Sequence, residues 1–307
     1  MRSRTNIFLW IGSIMVTLLI IIAIIGPAIA PYPLDYQEKV RNEVVNGKNV
    51  IIKPPLPPSE THLLGTDKWG YDMLTKLLYG ARYTVFVTMA IALLRVILGT
   101  VIGLYLGMQD AEAKWWVSIE NAWSYIPIFI PVYFLLGGIN VNSDLSTSAL
   151  VGIFIGMVTL LGIPSVVSSI RQKTMQIKDM QYVLAASSLG AGRNQIVFRH
   201  VLPHLKEQIA LVFVMEMIAT MTLMGLLGMF DQFIGGTEMT FDPVLYHSIT
   251  NEWAGLLGNY RSFIYSSYPW IYMVPLIAFV FAITSVTLLA KGLRDRYQGT
   301  YHRTPFI

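Results

Sequence analysis

Residues 148–170 read SALVGIFIGMVTLLGIPSVVSSI, a run of 23 residues without one charged side chain. An α-helix needs about 20 apolar residues to cross the hydrocarbon core of a bilayer, so this run predicts a membrane-spanning helix. The run does not alternate between apolar and polar residues, which favours a helix over a strand of a membrane barrel. Five other stretches have similar length and at most one charge each: 7–29, 83–106, 115–136, 209–230 and 268–290. The sequence therefore predicts an all-α, polytopic membrane protein with six transmembrane helices.

Composition supports this class and excludes others. Apolar residues make up 54% of the 307 residues and charged residues only 13%, about half the charged share of an ordinary soluble domain. This composition disfavours a cytosolic globular enzyme and excludes a disordered chain. The chain has no cysteine, hence no disulfide or thiolate metal site. The net charge of +4 does not cluster as a nucleic-acid-binding face requires, so no nucleic acid partner is expected.

The Lys and Arg residues between the spans set the expected orientation. If the N-terminus lies inside, the inner segments hold thirteen basic and five acidic residues, whereas the outer segments hold eight basic and eleven acidic residues. Cytoplasmic segments of membrane proteins carry the excess of Lys and Arg. We therefore expect both termini in the cytoplasm.

This topology divides the chain into regions. They are an N-terminal tail with the first helix (1–30), an extracellular loop with an amphipathic segment before the second helix (31–82), a five-helix core (83–290) that contains a basic cytoplasmic loop (171–208), and a cytoplasmic tail (291–307). The first apolar run is longer than a signal-peptide core and is expected to be retained. In the outer loop, Asn46-Gly47 lies between β-branched runs, which predicts a β-hairpin.

Three charged residues lie within the spans, where burial of a charge is costly and often functional. Glu120 is near the inner end of its span and is expected to extend its carboxylate to the interface. Arg95 and Glu216 lie near mid-span. They are candidates either for a structural pair between helices or for a substrate path, and we favour the structural pair.

The cytoplasmic segment 182–203 is the candidate functional loop. Small residues, among them Ala185, Ala186 and Ser187, predict a slim helix, Gly190 predicts a bend, and a second short helix is expected to end at Pro203. Apolar groups on a water-facing loop need a covering partner. From the residues alone, a docking site for a cytoplasmic protein and a stretch lying on the inner leaflet are equally favoured.

Motifs of catalysis or metal binding are missing from the sequence. There is no Gly-x4-Gly-Lys-Ser/Thr phosphate loop, no His-Glu-x-x-His zinc helix and no Gly-x-Ser-x-Gly elbow. His200 and His204 have the i, i+4 spacing of metal ligands on a helix, but Pro203 between them is expected to break that helix. We expect no catalytic residue, no metal and no cofactor in this chain.

Two stretches resemble a known family. Ala185-Ala186, Gly190 and the ending Phe198-Arg199-His200-Val201-Leu202-Pro203 look like the cytoplasmic loop of ABC importer permeases. The stretches 62–72 and 77–82 resemble the region before the second helix in permeases of the oligopeptide, dipeptide and nickel type. Both stretches lie where the topology requires them, and the likeness covers most of residues 57–296.

The resemblance implies a fold, a role and partners. The last five helices would form the MetI-like core of a type I ABC importer permease in a bacterial or archaeal cell (inner) membrane. A second, homologous permease, two cytoplasmic ATPase subunits that bind ATP and Mg, and an extracellular solute-binding protein would complete the transporter. Ala185, Ala186, Ser187, Gly190, His200, Leu202 and Pro203 would form the loop that couples to the ATPases. The substrate would be a peptide, with nickel or a metallophore as the alternative.

The chain departs from the family pattern at two informative positions. Leu184 stands where the coupling loop usually has a glutamate, and Glu252-Trp253-Ala254 stands where Ser-Trp-Gly is typical. Two other function classes stay open: an ion-coupled secondary transporter, which would need titratable groups such as Glu120 and Glu216 in its path, and a membrane scaffold that transports nothing.

Overall fold

A computed structural model of the chain describes residues 6–45, 48–109, 114–242 and 244–301. Within them the helices are α1 (Ile7–Ile29), α2 (Met73–Gly107), α3 (Lys114–Ser124), α4 (Phe129–Gly137), α5 (Thr147–Lys178), α6 (Gln181–Ser188), α7 (Arg193–Ile196), α8 (Leu202–Met229), α9 (Trp253–Tyr260) and α10 (Trp270–Tyr301). Two antiparallel hairpins pair β1 (Arg41–Val45) with β2 (Lys48–Ile52) and β3 (Thr237–Phe241) with β4 (Val244–Ser248). The all-α membrane class is confirmed, since the strands are confined to these hairpins within the described residues.

The third predicted span is wrong as a continuous helix. Five helices of the described chain are long and apolar enough to cross a membrane, whereas α3 and α4 are bent by 75° relative to each other. The break contains Pro127, which lacks the N–H donor that a helix interior needs and sterically opposes the preceding turn. Pro131 lies in the first turn of α4, where helical N–H groups have no partner within the helix and proline is tolerated.

Hydrogen bonds between loops show that the bent pair still runs from one end of the bundle to the other. Near the start of α2, the Leu77 carbonyl accepts from the Trp253 indole at 2.9 Å. Between α4 and α5, the Asn142 amide donates to the Thr237 carbonyl at 2.9 Å. Both bonds attach to the 231–260 region, so α2 begins and α5 begins at the same end. The chain leaves α2 at the opposite end, and α3–α4 is therefore a broken sixth span.

Several helices extend beyond the apolar windows that predicted them. α2 begins ten residues before position 83, α5 continues eight residues past position 170, and α10 continues through most of the predicted tail. Hydropathy detects only the part of a helix that is apolar enough for the hydrocarbon core, whereas backbone hydrogen bonding continues into the polar interface.

The core is built on α2, which packs along α5 through glycines. Gly99, Gly103 and Gly107 lie four residues apart and face Val166, Ile170 and Thr174 of α5, also four residues apart. A β-carbon on any of the three glycines would come within 3 Å of those α5 side chains. Small residues at this spacing let the two helix backbones approach closely, which is how helices associate in lipid.

Helix α1 packs on α2 and α10, buries Leu19 and Ala23 in the core and is fixed at both ends. Near its start, the Asn6 side-chain amide donates to the Gly292 carbonyl of α10 at 2.6 Å. Near its other end, Gly26 packs against the backbone of Leu78 in α2, with 2.7 Å between a virtual β-carbon and the Leu78 carbonyl oxygen. The first helix therefore belongs structurally to the bundle.

The two hairpins lie in the outer loops of the predicted topology. The predicted hairpin is confirmed by the pairing of β1 with β2, in which Val45 faces Lys48. The turn residues Asn46-Gly47 lie outside the described residues. Sequence reasoning missed the β3–β4 hairpin, although the β-branched and aromatic runs around Asp242-Pro243 carry a usable signal.

The crossing of α3–α4 is testable with single cysteines in this cysteine-free chain. We expect Glu60→Cys and Ser143→Cys to react with an impermeant thiol reagent in intact cells, and Ser187→Cys to react only after permeabilisation. Labelling of all three positions is measured by mass shift on denaturing gels. Protection of Ser143→Cys beside a labelled Glu60→Cys would show that the bent pair turns back on the side it entered.

Candidate functional site

The candidate loop begins with α6, which ends in a defined turn at Gly190. The Gly190 amide donates to the Ser187 carbonyl at 2.9 Å, and the Ala191 amide donates to the Ala186 carbonyl at 3.0 Å. This pair of bonds is a Schellman motif, and it requires a left-handed residue just after the helix. Gly190 supplies it with φ of +87°. The predicted slim helix and glycine bend are thus present in the structure.

One side of this loop is buried and the other presents apolar side chains to the surroundings. Val183, Val197 and Val201 pack into a cluster with the ends of α2 and α5 that the Lys and Arg excess predicts to be cytoplasmic, which we call inner. On the opposite side, Leu184 is 52% exposed and Leu189 is 89% exposed. Phe198 is also exposed. We call Leu184, Leu189 and Phe198 the inner apolar patch. In water, such a patch needs a partner to cover it.

Pro203 does not end a second short helix, so that prediction is wrong. α7 continues through a π-helical segment, Val197–Val201, directly into α8, and Pro203 lies in the first turn of α8. In the π segment the Leu202 amide bonds to the Val197 carbonyl, five residues back. A wider turn of this kind accommodates a residue that cannot donate to the carbonyl four residues earlier.

The two histidines of this region hold the loop together. The His204 imidazole lies 2.7 Å from the His200 carbonyl oxygen through Nδ1, and its ring stacks on Tyr182 of α6 with ring centroids 5.1 Å apart. Pro203 therefore leaves the helical relation of the two residues in place, contrary to expectation. Among the described residues no group of three or more His, Cys, Asp or Glu side chains is arranged to hold a metal ion.

The inner end of α2 anchors the start of α7. The Arg193 guanidinium donates to the Tyr105 carbonyl and lies 5.5 Å from the centroid of the Tyr105 ring. The Tyr105 hydroxyl donates to the Asn194 side chain at 3.2 Å. The loop that carries the inner apolar patch is therefore attached to the helix on which the core is built.

Within the spans, Arg95 and Glu216 form an ion pair that joins three helices. Arg95 of α2 donates to the Glu216 carboxylate of α8 at 2.6 Å and, through Nη2, to the Val158 carbonyl of α5 at 2.6 Å. Arg95 is 3% exposed. Gly162 leaves the space that the guanidinium occupies, since a β-carbon there would overlap it. The arrangement gives the Arg95 guanidinium hydrogen-bond acceptors inside the bundle and links α2, α5 and α8.

Glu120 does not extend to the interface as expected. Its carboxylate accepts a hydrogen bond from the Ser168 hydroxyl and lies 3.6 Å from the Arg171 guanidinium, both on α5. A buried partner is available because α3 crosses α5 at that level, so the carboxylate gains more from pairing than from reaching water.

A third polar cluster, which sequence reasoning missed, fixes α9 at the outer end of the bundle. Glu252 is 1% exposed and accepts from the Ile234 amide at 3.0 Å, from the Thr250 hydroxyl at 2.8 Å and from the Ser248 hydroxyl. Burial raises the pKa of the Glu252 carboxyl from 4.5 to about 7, although these donors act in the opposite direction. The sequence signal for this cluster was Glu252 itself, which stands where the family pattern has a serine.

Another polar cluster that sequence reasoning missed connects the loop before α2 to α9. The Lys76 ammonium lies 2.7 Å from the Asp67 carboxylate and 3.0 Å from the Tyr260 hydroxyl, and Tyr260 donates to Asp67 at 2.8 Å. All three residues are buried. Burial, followed by the nearby Asp67 charge, raises the pKa of the Tyr260 hydroxyl, so this group stays a neutral donor.

Comparison with known families agrees with this architecture. A family model described as the binding-protein-dependent transport system inner membrane component matches residues 96–299, more than half of the chain. The chain belongs to this family. A second model, the N-terminal TM domain of oligopeptide transport permease C, matches residues 2–55. The family that the motifs predicted is confirmed.

Individual relatives are distant but cover most of the chain. The chain is 24% identical over 296 residues to the dipeptide transport system permease protein DppC of Alkalihalophilus pseudofirmus, which covers 96% of this chain and 86% of that protein. It is 24% identical over 300 residues to the DppC protein of Bacillus subtilis, and the match covers 96% of this chain and 82% of that protein. It is 27% identical over 205 residues to the oligopeptide transport system permease protein OppC of B. subtilis, and the match covers 66% of this chain and 61% of that protein.

The ion pair in this permease gives a stability prediction. Arg95→Met leaves the Glu216 carboxylate buried without its partner, and we expect it to destabilise the purified chain by about 3–5 kcal/mol. The double variant Arg95→Met/Glu216→Leu removes both charges and should recover most of that loss. Thermal unfolding in nanodiscs measures both, with Arg82→Met at an exposed position of α2 as the control. Equal losses in the single and double variants would contradict the pairing.

Glu252 gives a pH prediction. Its pKa is higher in the folded chain, so the folded state holds a proton that the unfolded state has released between about pH 4.5 and 7. Stability contributed by the neutral carboxyl is therefore present below about pH 4.5 and lost as the pH rises through about 7. Over this window the wild-type chain should lose stability on the order of 3 kcal/mol. We expect Glu252→Gln to remove this loss, which is measured as a flatter decline in melting temperature with pH. Glu60→Gln, at an exposed acid of the outer loop, should keep the wild-type profile, and identical profiles for the two variants would refute the assignment.

Proposed function

We propose that this chain is one permease subunit of an ATP-driven ABC importer for peptides, paired with a second, homologous permease that forms the other half of the path. The names of these relatives specify dipeptide and oligopeptide transport, and the N-terminal match is to an oligopeptide permease domain. These names support a peptide substrate over nickel or a metallophore. A solute-binding protein delivers the peptide to the outer face.

The observation that carries the coupling role is the inner apolar patch. Leu184, Leu189 and Phe198 are exposed on a loop at the basic end of the bundle, held in place by Gly190 and by the attachment of Arg193 to α2. The sequence has no phosphate-binding loop, so ATP and Mg bind to two partner ATPase subunits in the cytoplasm. We assign the patch as the surface that docks on them.

Leu184 changes the chemistry of that docking. A glutamate at this position would offer a carboxylate for an ion pair with the partner, whereas a half-exposed leucine offers apolar area. The neighbouring Ala185 and Ser187 are also exposed and small, so a partner groove can approach the helix backbone. The proposed interface is therefore more apolar and less dependent on salt than a charged one.

The charged residues within the spans support a structural role over ion coupling. Glu216 is paired with Arg95, and Glu120 is bonded to Ser168 and lies near Arg171. A secondary transporter needs carboxylates that gain and lose an ion along the path, and these two are occupied by partners within the bundle. We propose the Arg95–Glu216 pair as a brace that keeps α2, α5 and α8 moving together.

The excess of Lys and Arg supports the orientation. The end of the bundle that carries the inner apolar patch is the cytoplasmic one, and the outer loops with both hairpins face the binding protein. The proposed location is the cell (inner) membrane of a bacterium or archaeon, with lipid around α1 and the exposed helix faces.

Two neighbouring glycines give a matched test of the coupling role. Both have open space around a virtual β-carbon, but Gly190 has φ of +87° and Gly192 has φ of −67°. A β-carbon in the left-handed region costs roughly 1–2 kcal/mol. We therefore expect Gly190→Ala to weaken ATPase docking about 5- to 30-fold and to lower peptide uptake, and Gly192→Ala to change neither.

The measurements are co-purification of the ATPase subunits and uptake of a labelled peptide by the assembled transporter. Gly190→Asn should restore part of the docking, since asparagine tolerates the left-handed conformation. Full docking and uptake in Gly190→Ala, or the same loss in Gly192→Ala, would remove the turn from the coupling mechanism and favour an inner-leaflet anchor.

A further inference from the structure

We propose that the outer face of this permease holds a binding site for the N-terminal end of a short peptide. The site is a cavity of about 610 Å³ between the loop before α2 and the β3–β4 hairpin. Pockets of this size take small organic ligands. The choice of peptides as the ligand class rests on the function proposed above, whereas the chemistry of the site is read from its lining.

Aromatic side chains form the walls of the cavity. Trp69 and His247 meet edge to face, with ring centroids 4.4 Å apart, and Tyr71 lies beside them. These rings come from two separate outer segments, so the wall exists only where the loop and the hairpin meet. One face of each of two wall rings is covered by a lysine of the chain, since the Lys68 ammonium lies 4.0 Å from the Trp69 centroid and the Lys76 ammonium lies 4.4 Å from the Tyr71 centroid.

Two carboxylates lie at the mouth of the cavity. Asp35 and Glu238 are exposed, and neither forms an ion pair with another residue in the described part of the chain. The cation in the lining, Lys76, is already bonded to Asp67 and to the Tyr260 hydroxyl. Lys68, whose charge also acts on His247, lies outside the lining. Within the lining the two carboxylates are the charges without an ion pair, and a primary ammonium is the ligand group that they attract.

The floor of the cavity carries a buried polar side chain that lacks a partner. Asn251 lines the cavity and is 8% exposed, and its side-chain amide makes no hydrogen bond to any residue in the described ranges. The amide therefore makes no bond within the described part of the protein and is not among the side-chain atoms closed off from solvent, so it is free to pair with a ligand in the cavity. The Asn251 backbone has φ of +53°, a conformation that asparagine tolerates better than most residues.

His247 adds a second polar group in a defined state. Burial, followed by the charges of Lys76 and Lys68, lowers the pKa of this imidazole. The ring is therefore neutral at neutral pH and presents one donor and one acceptor. It does not oppose the approach of a cation.

Together, these groups select the N-terminal end of a peptide over its other parts. An N-terminal ammonium is followed within a few bonds by an amide, and the cavity offers a carboxylate mouth followed by an amide floor. An Asn amide pairs with a peptide group because each has one carbonyl acceptor and N–H donors. The aromatic walls cover the side chains, and a C-terminal carboxylate would be repelled by Asp35 and Glu238.

The test uses the full chain in nanodiscs, with tri-alanine and N-acetyl-tri-alanine as probes and calorimetry as the readout. We expect the wild-type chain to bind the free peptide roughly tenfold more tightly, since acetylation removes a hydrogen bond that involves charge. The double variant Asp35→Asn/Glu238→Gln, which removes both carboxylates of the mouth, should abolish this preference. Asn251→Gly, which keeps the backbone conformation and removes the amide, should weaken both probes severalfold.

Asp242→Asn is the matched control, because it removes an exposed acid of the same outer segment that does not line the cavity. Its preference for the free peptide should equal that of the wild type. The proposal is overturned if the double variant Asp35→Asn/Glu238→Gln keeps the preference, or if Asp242→Asn loses it. It is also overturned if these variants weaken only the docking of a binding protein, since the cavity would then hold a side chain of that partner.

Uptake by the assembled transporter separates this inference from the proposed function. If the transporter imports tri-alanine and the Glu238 and Asn251 variants bind both probes as the wild type does, the outer site is wrong and the peptide importer stands. If the wild-type transporter imports no peptide, the proposed function fails whatever the cavity binds.

Discussion

The close contact between α2 and α5 is the constraint on which the rest of the structure depends. Between helices in lipid there is no hydrophobic driving force, because the lipid tails are as apolar as the side chains. Association must come from backbone proximity, and Gly99, Gly103 and Gly107 provide it along two full turns of α2. The same proximity brings Arg95 into the space beside Gly162, where it reaches both the Val158 carbonyl and Glu216. A buried ion pair is thereby placed at the point where three helices meet.

The outer end of the bundle is held by polar contacts of a different kind. Asp67, Lys76 and Tyr260 form one buried cluster, and Glu252 with its three donors forms another. Both attach to α9, whose side chains are almost all buried. This short helix therefore connects the loop before α2, the second hairpin and the ends of α8 and α10. The cavity at Asn251 lies between two of these elements, the loop before α2 and the second hairpin, so its shape depends on the position of α9.

Much of this fold could be predicted from the sequence because bilayers impose a length and a polarity on every span. The helix class, the apolar windows, the first hairpin and the turn at Gly190 follow from local residue patterns. The glycines of α2 are also readable as a four-residue repeat, although hydropathy does not report it. The Lys76–Tyr260 contact is not readable, since the two residues are 184 positions apart and no local pattern links them. The predicted helix end at Pro203 is wrong because a π turn accommodates a proline without ending the helix.

The unbroken path from α7 into α8 has a mechanical consequence. From Arg193 to Met229 the chain is one helix of 37 residues, which at 1.5 Å per residue is a rod about 55 Å long. The brace at Glu216 divides this rod into an inner arm of about 35 Å and an outer arm of about 20 Å. Because the brace ties α8 to α2 and α5, the three helices turn together about this level. The inner end lies farther from the brace, so it moves through a larger distance than the outer end does.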